Sequence, residues 1–541
     1  MTKPLNVLWI MADQLRWDYL SCYGHPHLHT PNLDRLAARG VRFDNAYVQS
    51  PFCGPSRMSA YTGRYCHSHG ATWNGFPLRV GEPTLGDHLR EIGVLPALVG
   101  KTHMVPDTAG MDWLGIQPDS EIGVRIAECG FDPFERDDGL HPDSGYGGPN
   151  RYNDYLREQG INAENPWNSR ANAALDENGD RRSGWLLKYS CMPADIPEEH
   201  SETPYMTRRA MDFIDQAGDA PWLCHLSLIK PHWPYIVPEP YASMYGPEHV
   251  IDPVRSEAEK DSDHPVYNAY INSRICRTFA RDEVREAVIP AYMGLIKQID
   301  DQMGVLFDFL EDRGLMESTM IAFTSDHGDY LGDHWMGEKD LFHDPSVKVP
   351  LILYDPRPEA DATRGTASDA LVEAIDLAPT FLNYFGGAPK PHILEGRTLD
   401  PLLHGTGEAW REYAISEFDY STREARQIIG NDQADARLIM IRDARWKYVH
   451  AEGFRPMLFD LENDPKELVD LGGAEGEDLD AVRIRMHEAI FDWTRRHHSR
   501  ITLTPGQIEN MTGKEPPGIL IGVWDEADYE AIYGEPFTMK P

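Results

Sequence analysis

Short apolar runs recur along much of the chain, and stretches with helical spacing separate several of them. The apolar runs cover residues 5–12, 94–99, 222–229, 320–324 and 349–354. Runs of this length are typical of strands that are buried on both faces of a sheet. The stretches with helical spacing cover residues 84–92, 205–216 and 283–310. Alternation of the two patterns predicts an α/β fold with a largely parallel sheet.

Polar residues with catalytic or ligand chemistry come directly after four of these runs. They are Asp13 and Gln14, Lys101 and His103, His232, and Asp326 and His327. Ligands of open α/β sheets bind beyond the carboxyl ends of the strands. One such position would mean little, but four at different strands predict a shared cleft.

The pattern changes after about residue 405, where the remaining segments are shorter. Short strands are predicted at 413–418, 436–441 and 446–450, and a helix at 479–495. We therefore predict a catalytic α/β domain at 1–405, an antiparallel subdomain at 406–500 and a tail at 501–541. Residues 105–200 are rich in Gly, Pro, Asp and Asn, which predicts long loops over the strand ends.

Net charge and cysteine usage narrow the class of protein. The 541 residues carry 51 basic and 87 acidic side chains, a net charge of −36, which disfavours nucleic acid and anionic membranes as partners. A site for anions must then be a local island of positive charge. Seven dispersed cysteines without a CxxC pair fit a reducing compartment. The first apolar run is too short for a signal peptide, so we predict a cytoplasmic protein.

Four of the residues at the strand ends form a candidate metal site. Asp13, Gln14, Asp326 and His327 offer two carboxylates, an amide oxygen and an imidazole, which suit a divalent ion such as Ca²⁺ or Mn²⁺. Each could instead be an ordinary cap or turn residue. An aspartate directly after a buried strand is costly unless something compensates its charge, and a metal would do so.

The segment Cys53-Gly54-Pro55-Ser56-Arg57 precedes and enters a helix predicted at 55–62. The amino end of a helix favours anions. Arg57, one turn along, could orient a nucleophile at position 53 or form a salt bridge to Asp13 or Asp326. Cys53 itself could be a small buried hydrophobe, as most single cysteines are.

Two lysines and two histidines complete the candidate chemistry. Lys101 and Lys339 could neutralise a transferring anionic group, although a lysine is usually a solvated surface charge. His103 and His232 are candidate acid–base groups because imidazole titrates near neutrality.

Seven motifs occur in the order found in type I sulfatases of the alkaline phosphatase superfamily, which the chain resembles over most of its length. They are Asp13-Gln14, Thr30-Pro31-Asn32-Leu33-Asp34, Cys53-x-Pro-Ser-Arg57, Gly100-Lys101-Thr102-His103, Pro231-His232-x-Pro234, Ser325-Asp326-His327-Gly328-Asp329 and residues 458–465 (LFDLENDP). Gln14, Gly54, Asn74 and the apolar tail segment 518–524 are similar to the arylsulfatase/phosphonate monoester hydrolase branch. The Gly-Lys-Thr-His form is that of ordinary sulfatases, which favours sulfate esters.

This resemblance implies an alkaline phosphatase-like sandwich and a particular set of site residues. Cys53 would be converted to Cα-formylglycine by a formylglycine-generating enzyme, and its hydrate would be the nucleophile. The implied metal ligands are Asp13, Gln14, position 53, Asp326 and His327. The implied catalytic residues are Cys53, Arg57, Lys101, His103, His232 and Lys339, with Asn74, Lys101, His232 and Lys339 contacting substrate. The tail would support a homo-oligomer, by analogy a tetramer, although it could also dock on its own chain.

The implied activity is hydrolysis of sulfate monoesters, together with promiscuous cleavage of phosphonate monoesters and phosphodiesters. An alternative is a phosphonate monoester hydrolase or phosphodiesterase with incidental sulfatase activity. A phosphomutase of the same superfamily is disfavoured because those enzymes use Ser or Thr where Cys53 stands. A non-catalytic anion-binding protein on a sulfatase scaffold is the alternative from another class.

Overall fold

An eight-stranded, mostly parallel sheet forms the centre of the protein in a computed structural model, which describes residues 5–139, 141, 150–495, 501–512 and 523–538. Its strands are β1 (Asn6–Asp13), β2 (Val41–Tyr47), β3 (Leu95–Gly100), β4 (Asp132–Arg136), β5 (Trp222–Pro231), β6 (Thr319–Ser325), β7 (Lys348–Tyr354) and β8 (Thr366–Glu373). Their spatial order is β8-β2-β7-β6-β1-β5-β3-β4. In the described part of this central sheet, β7 alone runs antiparallel to both of its neighbours. The predicted α/β fold class is confirmed.

Helices cover both faces of this sheet. In chain order the α-helices of the described residues, in both parts of the protein, are α1 (Pro31–Arg39), α2 (Cys53–Thr62), α3 (Cys66–His69), α4 (Leu85–Arg90), α5 (Thr108–Leu114), α6 (Glu121–Ala127), α7 (Arg151–Glu158), α8 (Glu202–Ala217), α9 (Pro265–Ile271), α10 (Arg274–Phe279), α11 (Asp282–Asp312), α12 (Asp344–Val347), α13 (Leu377–Tyr384), α14 (Asp400–Leu403), α15 (Glu424–Ile429), α16 (Glu477–Arg495), α17 (Pro505–Met511) and α18 (Glu526–Tyr533).

Side chains of β1 alternate between two hydrophobic cores. Trp9 packs in one core with Tyr61 of α2 and Phe381 of α13, whereas Ile10 packs in the other with residues of α8 and α11. Alternation of this kind follows from the two-residue period of a strand. It explains why an entirely buried strand appears in the sequence as a single apolar run.

A second, smaller sheet lies toward the C-terminus. Its strands β9 (Ala414–Asp419), β10 (Arg437–Arg442), β11 (Trp446–Ala451) and β12 (Met457–Asp460) are antiparallel in sequential order. Met486 and Ile490 of α16 pack on this sheet. The predicted antiparallel sheet is thus confirmed, while the domain boundaries at 405/406 and 500/501 stay predictions.

Several elements differ from the sequence-based expectation. The stretch predicted as long loops contains α5, α6 and α7, and its strand β4 forms one edge of the central sheet. Strand β4 (DPFER) was missed because an edge strand needs no apolar run and tolerates Pro. Residues 518–522 of the apolar tail segment lie outside the described residues. Within the described ranges, no helix is long and apolar enough to cross a membrane.

The order of the central strands brings the predicted site residues to one edge. Strands β6, β1, β5 and β3 are neighbours, and Asp326, Asp13, His232 and Lys101 lie at or just beyond their carboxyl ends. Gly100 closes β3 with φ +112°, and a Cβ added there would overlap the backbone oxygen of Ser227 in β5. A glycine is therefore required directly before Lys101.

We predict that Gly100→Ala lowers the melting temperature more than Gly24→Ala does. Gly24 shares the left-handed backbone, with φ +96°, but has open space around an added Cβ. The control should therefore lose only the backbone preference, about 1–2 kcal/mol, whereas Gly100→Ala must also move β3 away from β5. Equal melting temperatures of the two variants, measured by calorimetry, would contradict this account of the strand end.

Candidate active site

Cys53 lies at the centre of a buried polar cluster. It is the first residue of α2, two residues before the predicted start of that helix, and its side chain is 1% exposed. Its Sγ atom lies 3.0 Å from His327 Nε2, 3.2 Å from Lys339 Nζ and 3.9 Å from Asp13 Oδ1. Phe52, directly before the helix, provides no side-chain cap, so partners for the first N–H groups must come from other residues.

Arg57 joins the carboxylates of two strand ends. Its Nε donates to Asp326 Oδ2 at 2.7 Å, and its Nη2 donates to Asp13 Oδ2 at 3.0 Å. All three side chains are fully buried. Arg57 therefore forms the salt bridges to Asp13 and Asp326 that the sequence analysis gave as one alternative. Its other predicted role, orienting the nucleophile at position 53, stays a prediction. Each carboxylate gives Oδ2 to Arg57 and turns Oδ1 to the cluster, where Asp326 Oδ1 also accepts from the Gln14 backbone N–H at 3.1 Å.

The two aspartates belong to a group of potential metal ligands. Asp13, Cys53, Asp326 and His327 each offer one ligand atom, and these atoms lie within 4.8 Å of one another. Both Oδ1 atoms lie 3.7 Å from His327 Nε2. Because His327 Nδ1 donates to the Gly328 carbonyl oxygen at 2.8 Å, Nε2 is the ring nitrogen that faces the group. Oxygen-rich donors with one imidazole fit a divalent cation.

Gln14 adds an amide oxygen that the surrounding residues orient. Its Nε2 donates to Asp329 Oδ2 at 2.6 Å and to the Tyr235 hydroxyl at 3.1 Å. Its Oε1 is thereby turned toward the site, where it accepts a hydrogen bond from Lys339 Nζ at 2.9 Å. Sequence analysis missed Asp329 and Tyr235 as site residues, although Asp329 ends the Ser-Asp-His-Gly-Asp motif.

Cations counter the buried negative charge. Lys101 Nζ lies 2.6 Å from Asp13 Oδ2. Burial and the neighbouring Cys53 oppose ionisation of Asp13, but Lys101, His232 and Arg57 hold its pKa below the usual range. Burial likewise raises the pKa of the Cys53 thiol, yet Lys339, His327 and Lys101 outweigh it and hold that pKa well below its ordinary value. The site therefore favours an anion at position 53.

Both predicted acid–base histidines also reach Cys53. Interaction with His103 helps to lower the pKa of the Cys53 thiol, and interaction with Cys53 acts to raise the pKa of His232. Burial lowers the pKa of His232 to about 4, and its Nδ1 donates to the Trp233 carbonyl oxygen at 2.9 Å, so the neutral ring turns a lone pair to the site. His103 has φ +58°, and its backbone N–H donates to Asp138 Oδ1 at 3.0 Å. Asp138 lies in the weakly patterned stretch where the sequence offered no signal.

Asn74 contacts the backbone beside the nucleophile position. Its Oδ1 accepts a hydrogen bond from the Gly54 N–H at 2.7 Å. A Cβ added at Gly54 would lie 2.5 Å from the same oxygen, so this contact requires glycine after Cys53. The contact uses the acceptor of the amide and leaves its donor for another group. Binding of substrate by Asn74 stays a prediction.

A second group of potential ligands has a different character. Asp355, Asp400 and His404 also bring their ligand atoms within 4.8 Å. Arg357 lies among them, however, and its Nη2 donates to Asp355 at 2.7 Å and to Asp400 at 2.5 Å. Both oxygens of Asp355 accept from Arg357, and those of Asp400 accept from Arg357 and from two neighbouring polar side chains. Every carboxylate oxygen of this group is thus already satisfied by hydrogen bonds, which does not favour a metal.

The chain belongs to the Sulfatase family, whose model matches residues 5–388, and residues 332–495 match the C-terminal region of N-sulphoglucosamine sulphohydrolase. It is an enzyme of the class that hydrolyses sulfuric esters. It is 33% identical over 531 residues to the multifunctional alkaline phosphatase superfamily protein PehA of Trinickia caryophylli, covering 93% of this chain and 97% of the relative. Over 491 residues it is 28% identical to an arylsulfatase of Clostridium perfringens, covering 87% and 91%.

Similarity extends to solved structures. The phosphonate monoester hydrolase of Agrobacterium radiobacter superposes with a TM-score of 0.78 at 30% identity, covering 91% of this chain and 96% of that one. The resemblance to sulfatases of the alkaline phosphatase superfamily and to their phosphonate hydrolase branch is confirmed. The roles of individual residues are not tested by these comparisons and stay predictions.

We predict that Arg57→Ala destabilises the fold far more than Arg35→Ala. Removal of Arg57 leaves the buried carboxylates of Asp13 and Asp326 without their shared partner, which costs about 3–5 kcal/mol. Arg35 pairs with Asp308 at 2.9 Å on the surface, where both side chains are more than a third exposed, and such a pair contributes about 1 kcal/mol or less. Thermal melting of both variants checks this. Similar melting temperatures would contradict the structural role of Arg57.

Proposed function

We propose that the protein hydrolyses sulfate monoesters of the arylsulfatase type, with formylglycine at position 53 as the nucleophile. Its Cys53 thiol stands in for the formylglycine side chain. The main support is the position of Cys53, at the amino end of α2 and between the ligand group and Lys339. In a chain of net charge −36, such a cluster of cations around a single small side chain suits an anionic ester.

One divalent ion, Ca²⁺ or Mn²⁺, is part of the proposal. Asp13, Gln14, Asp326, His327 and position 53 would hold it. The ligand atoms of all but Gln14 lie within 4.8 Å of one another, and Gln14 Oε1 shares the Lys339 ammonium with Cys53. When bound, the ion supplies positive charge that acidifies a hydroxyl and stabilises an oxyanion. Arg57 keeps both aspartates oriented for this task by occupying their outer oxygens.

Lys101 and Lys339 would stabilise charge on the oxygens of the transferring group. Lys339 Nζ lies 3.2 Å from Cys53 Sγ, and Lys101 contacts the neighbouring Asp13. Both lysines are almost fully buried, so their charges act with little screening by water. Fixed cations aimed at developing negative charge contribute a large share of catalysis in many enzymes.

His232 would protonate or hydrogen-bond the leaving oxygen. The neutral ring has its proton on Nδ1, where it is held by the Trp233 carbonyl, so Nε2 must first take up a proton before it can give one. The hydroxyl at position 53 is the adjacent donor. His103 is proposed to accept the proton of the second hydroxyl when the anion leaves, because it also contacts position 53.

Phosphonate monoesters and phosphodiesters are proposed as further substrates, and a primary phosphonate hydrolase is the second candidate. The similarity to PehA and to a phosphonate monoester hydrolase structure supports this second activity. The Gly100-Lys101-Thr102-His103 segment supports sulfate as the preferred ester. Cytoplasmic location, maturation by a formylglycine-generating enzyme and assembly into a tetramer complete the proposal.

A pair of esters with the same leaving group decides between the candidates. The metal-loaded and fully converted enzyme is assayed with an aryl sulfate and with the matching aryl phenylphosphonate. We expect a higher kcat/KM for the sulfate. A higher value for the phosphonate would favour the second candidate, and turnover of neither ester would favour a non-catalytic anion-binding protein.

We predict that Cys53→Ala loses about 10⁴-fold or more in kcat, since the nucleophile is absent. The matched control is Cys224→Ala, which removes a thiol buried in β5 away from the site and should leave kcat within about twofold. Intact-mass spectrometry of the natural chain should show a loss of about 18 Da at position 53, because a carbonyl oxygen replaces SH and H. Wild-type kcat in Cys53→Ala would refute the proposed nucleophile.

The tail generates a prediction about assembly. Met511, Trp524 and Ile532 are 62%, 89% and 59% exposed in a single chain, and such side chains are typical of surfaces that a partner covers. We predict a homo-oligomer, with the tail of one subunit packed on another. Light scattering on the full chain and on a chain truncated after Thr504 checks this. A monomeric full chain, or an oligomer that truncation leaves unchanged, would remove the tail from this role.

A further inference from the structure

Arg423 reaches from the smaller sheet toward the candidate active site. It directly precedes α15, in the segment between β9 and β10. Its Nη2 donates to Asp340, which follows Lys339 in the chain. The segment that delivers Lys339 to Cys53 is therefore tied to the C-terminal part of the protein by a salt bridge.

Two aromatic rings fix the guanidinium in place. Its Cζ atom lies 4.7 Å from the ring centroid of Phe52 and 5.0 Å from that of Trp73. These two rings stack on each other, with centroids 4.1 Å apart and an angle of 16°. Phe52 precedes Cys53, and Trp73 precedes Asn74. Lys339 Nζ lies 5.3 Å from the same Phe52 ring, so Arg423 and Lys339 both border the ring beside the nucleophile.

Arg423 retains unused hydrogen-bonding capacity. Its Nε is buried and has no partner among the residues that the structure describes. The side chain as a whole is 24% exposed, so it also borders open space. A guanidinium carries five N–H donors in a planar fork, and a buried donor without a partner costs free energy unless a ligand satisfies it.

The remaining cations near position 53 are already engaged. Arg57 is shared by two buried carboxylates, and Lys101 contacts Asp13. Lys339 donates to Gln14 and Cys53. None of these can serve the organic part of an ester without giving up its contact at the reacting end. Arg423 is placed differently, because it lies about equally far from both rings of the Phe52–Trp73 stack, beside the residues that precede Cys53 and Asn74.

We propose that Arg423 is a substrate-binding residue that selects esters carrying a second anionic group, such as a carboxylate or a second sulfate, on the organic part. This inference rests on the proposed function for the site of the first anion. A rigid guanidinium binds planar or tetrahedral oxyanions in bidentate fashion. Because Asp340 and the two rings hold it in one place, little conformational entropy is lost when the anion binds.

Binding of sulfonates that cannot be hydrolysed tests the inference. Calorimetry is run on the metal-loaded wild-type protein with benzenesulfonate and with 2-, 3- and 4-sulfobenzoate. We expect at least one sulfobenzoate to bind about 10- to 100-fold more tightly than benzenesulfonate, as a charge-assisted hydrogen bond allows. In Arg423→Gln this preference should vanish, so that the four sulfonates bind with about the same affinity.

Two further variants separate the guanidinium from the shape of its segment. Arg423→Lys retains the charge but not the fork, so it should keep part of the preference and serves if the Gln variant fails to fold. Arg426→Gln is the matched control, since Arg426 holds the same segment through the carbonyl oxygens of Ser421 and Asn431. It should keep the full preference.

Three results would overturn the inference: equal affinity of the wild type for all four sulfonates, equal weakening of all four by Arg423→Gln, or loss of the preference in Arg426→Gln. Turnover of an aryl sulfate is measured separately. If the protein distinguishes the sulfonates but hydrolyses no ester, the proposed function is contradicted. The role of Arg423 in binding a second anion would still be supported.

Discussion

The fully buried salt bridge from Arg57 to Asp13 and Asp326 is the interaction on which the rest of the site depends. It connects helix α2 to the ends of the neighbouring strands β1 and β6, so one guanidinium fixes three elements. Since Cys53 lies one turn before Arg57 on α2, the same contact sets the position of the nucleophile. In each carboxylate, one oxygen pairs with Arg57 and the other faces His327. Buried ion pairs are expensive to desolvate, and this arrangement is understandable if a bound cation uses the remaining oxygens.

Outer residues hold the side chains that would do the chemistry. Asp329 and Tyr235 determine which end of the Gln14 amide faces the site, and Asp138 holds the left-handed backbone of His103. Each of these partners makes a hydrogen bond to the side chain or backbone that it orients. A buried polar network in which the groups have partners is rigid. The smaller sheet joins this network through Arg423 and Asp340. On this account the C-terminal part of the chain contributes to the substrate pocket.

Much of the fold could be predicted from the sequence, but only those strands that are buried on both faces gave a clear pattern. Strands β1, β3, β5, β6 and β7 are buried on both faces and therefore appear as apolar runs. Strand β2 (VRFDNAY) is partly buried, and the edge strand β4 is polar, so neither produced that signal. Candidate site residues were found because they follow strands or lie in motifs. Tyr235, Asp138 and Arg423 were missed, since their importance comes from contacts with residues distant in sequence.

Calorimetric titration with Mn²⁺ and with Ca²⁺ tests the central claim most directly. The account predicts one ion per chain for the wild type, and a loss of affinity of about 100-fold or more in Asp326→Asn, because a charged ligand is removed. Asp355→Asn is the control, since the carboxylate oxygens of that second group already accept hydrogen bonds, and this variant should bind one ion as before. No binding by the wild type, or equal affinity of the wild type and Asp326→Asn, would contradict the claim that Arg57 orients these carboxylates toward a metal.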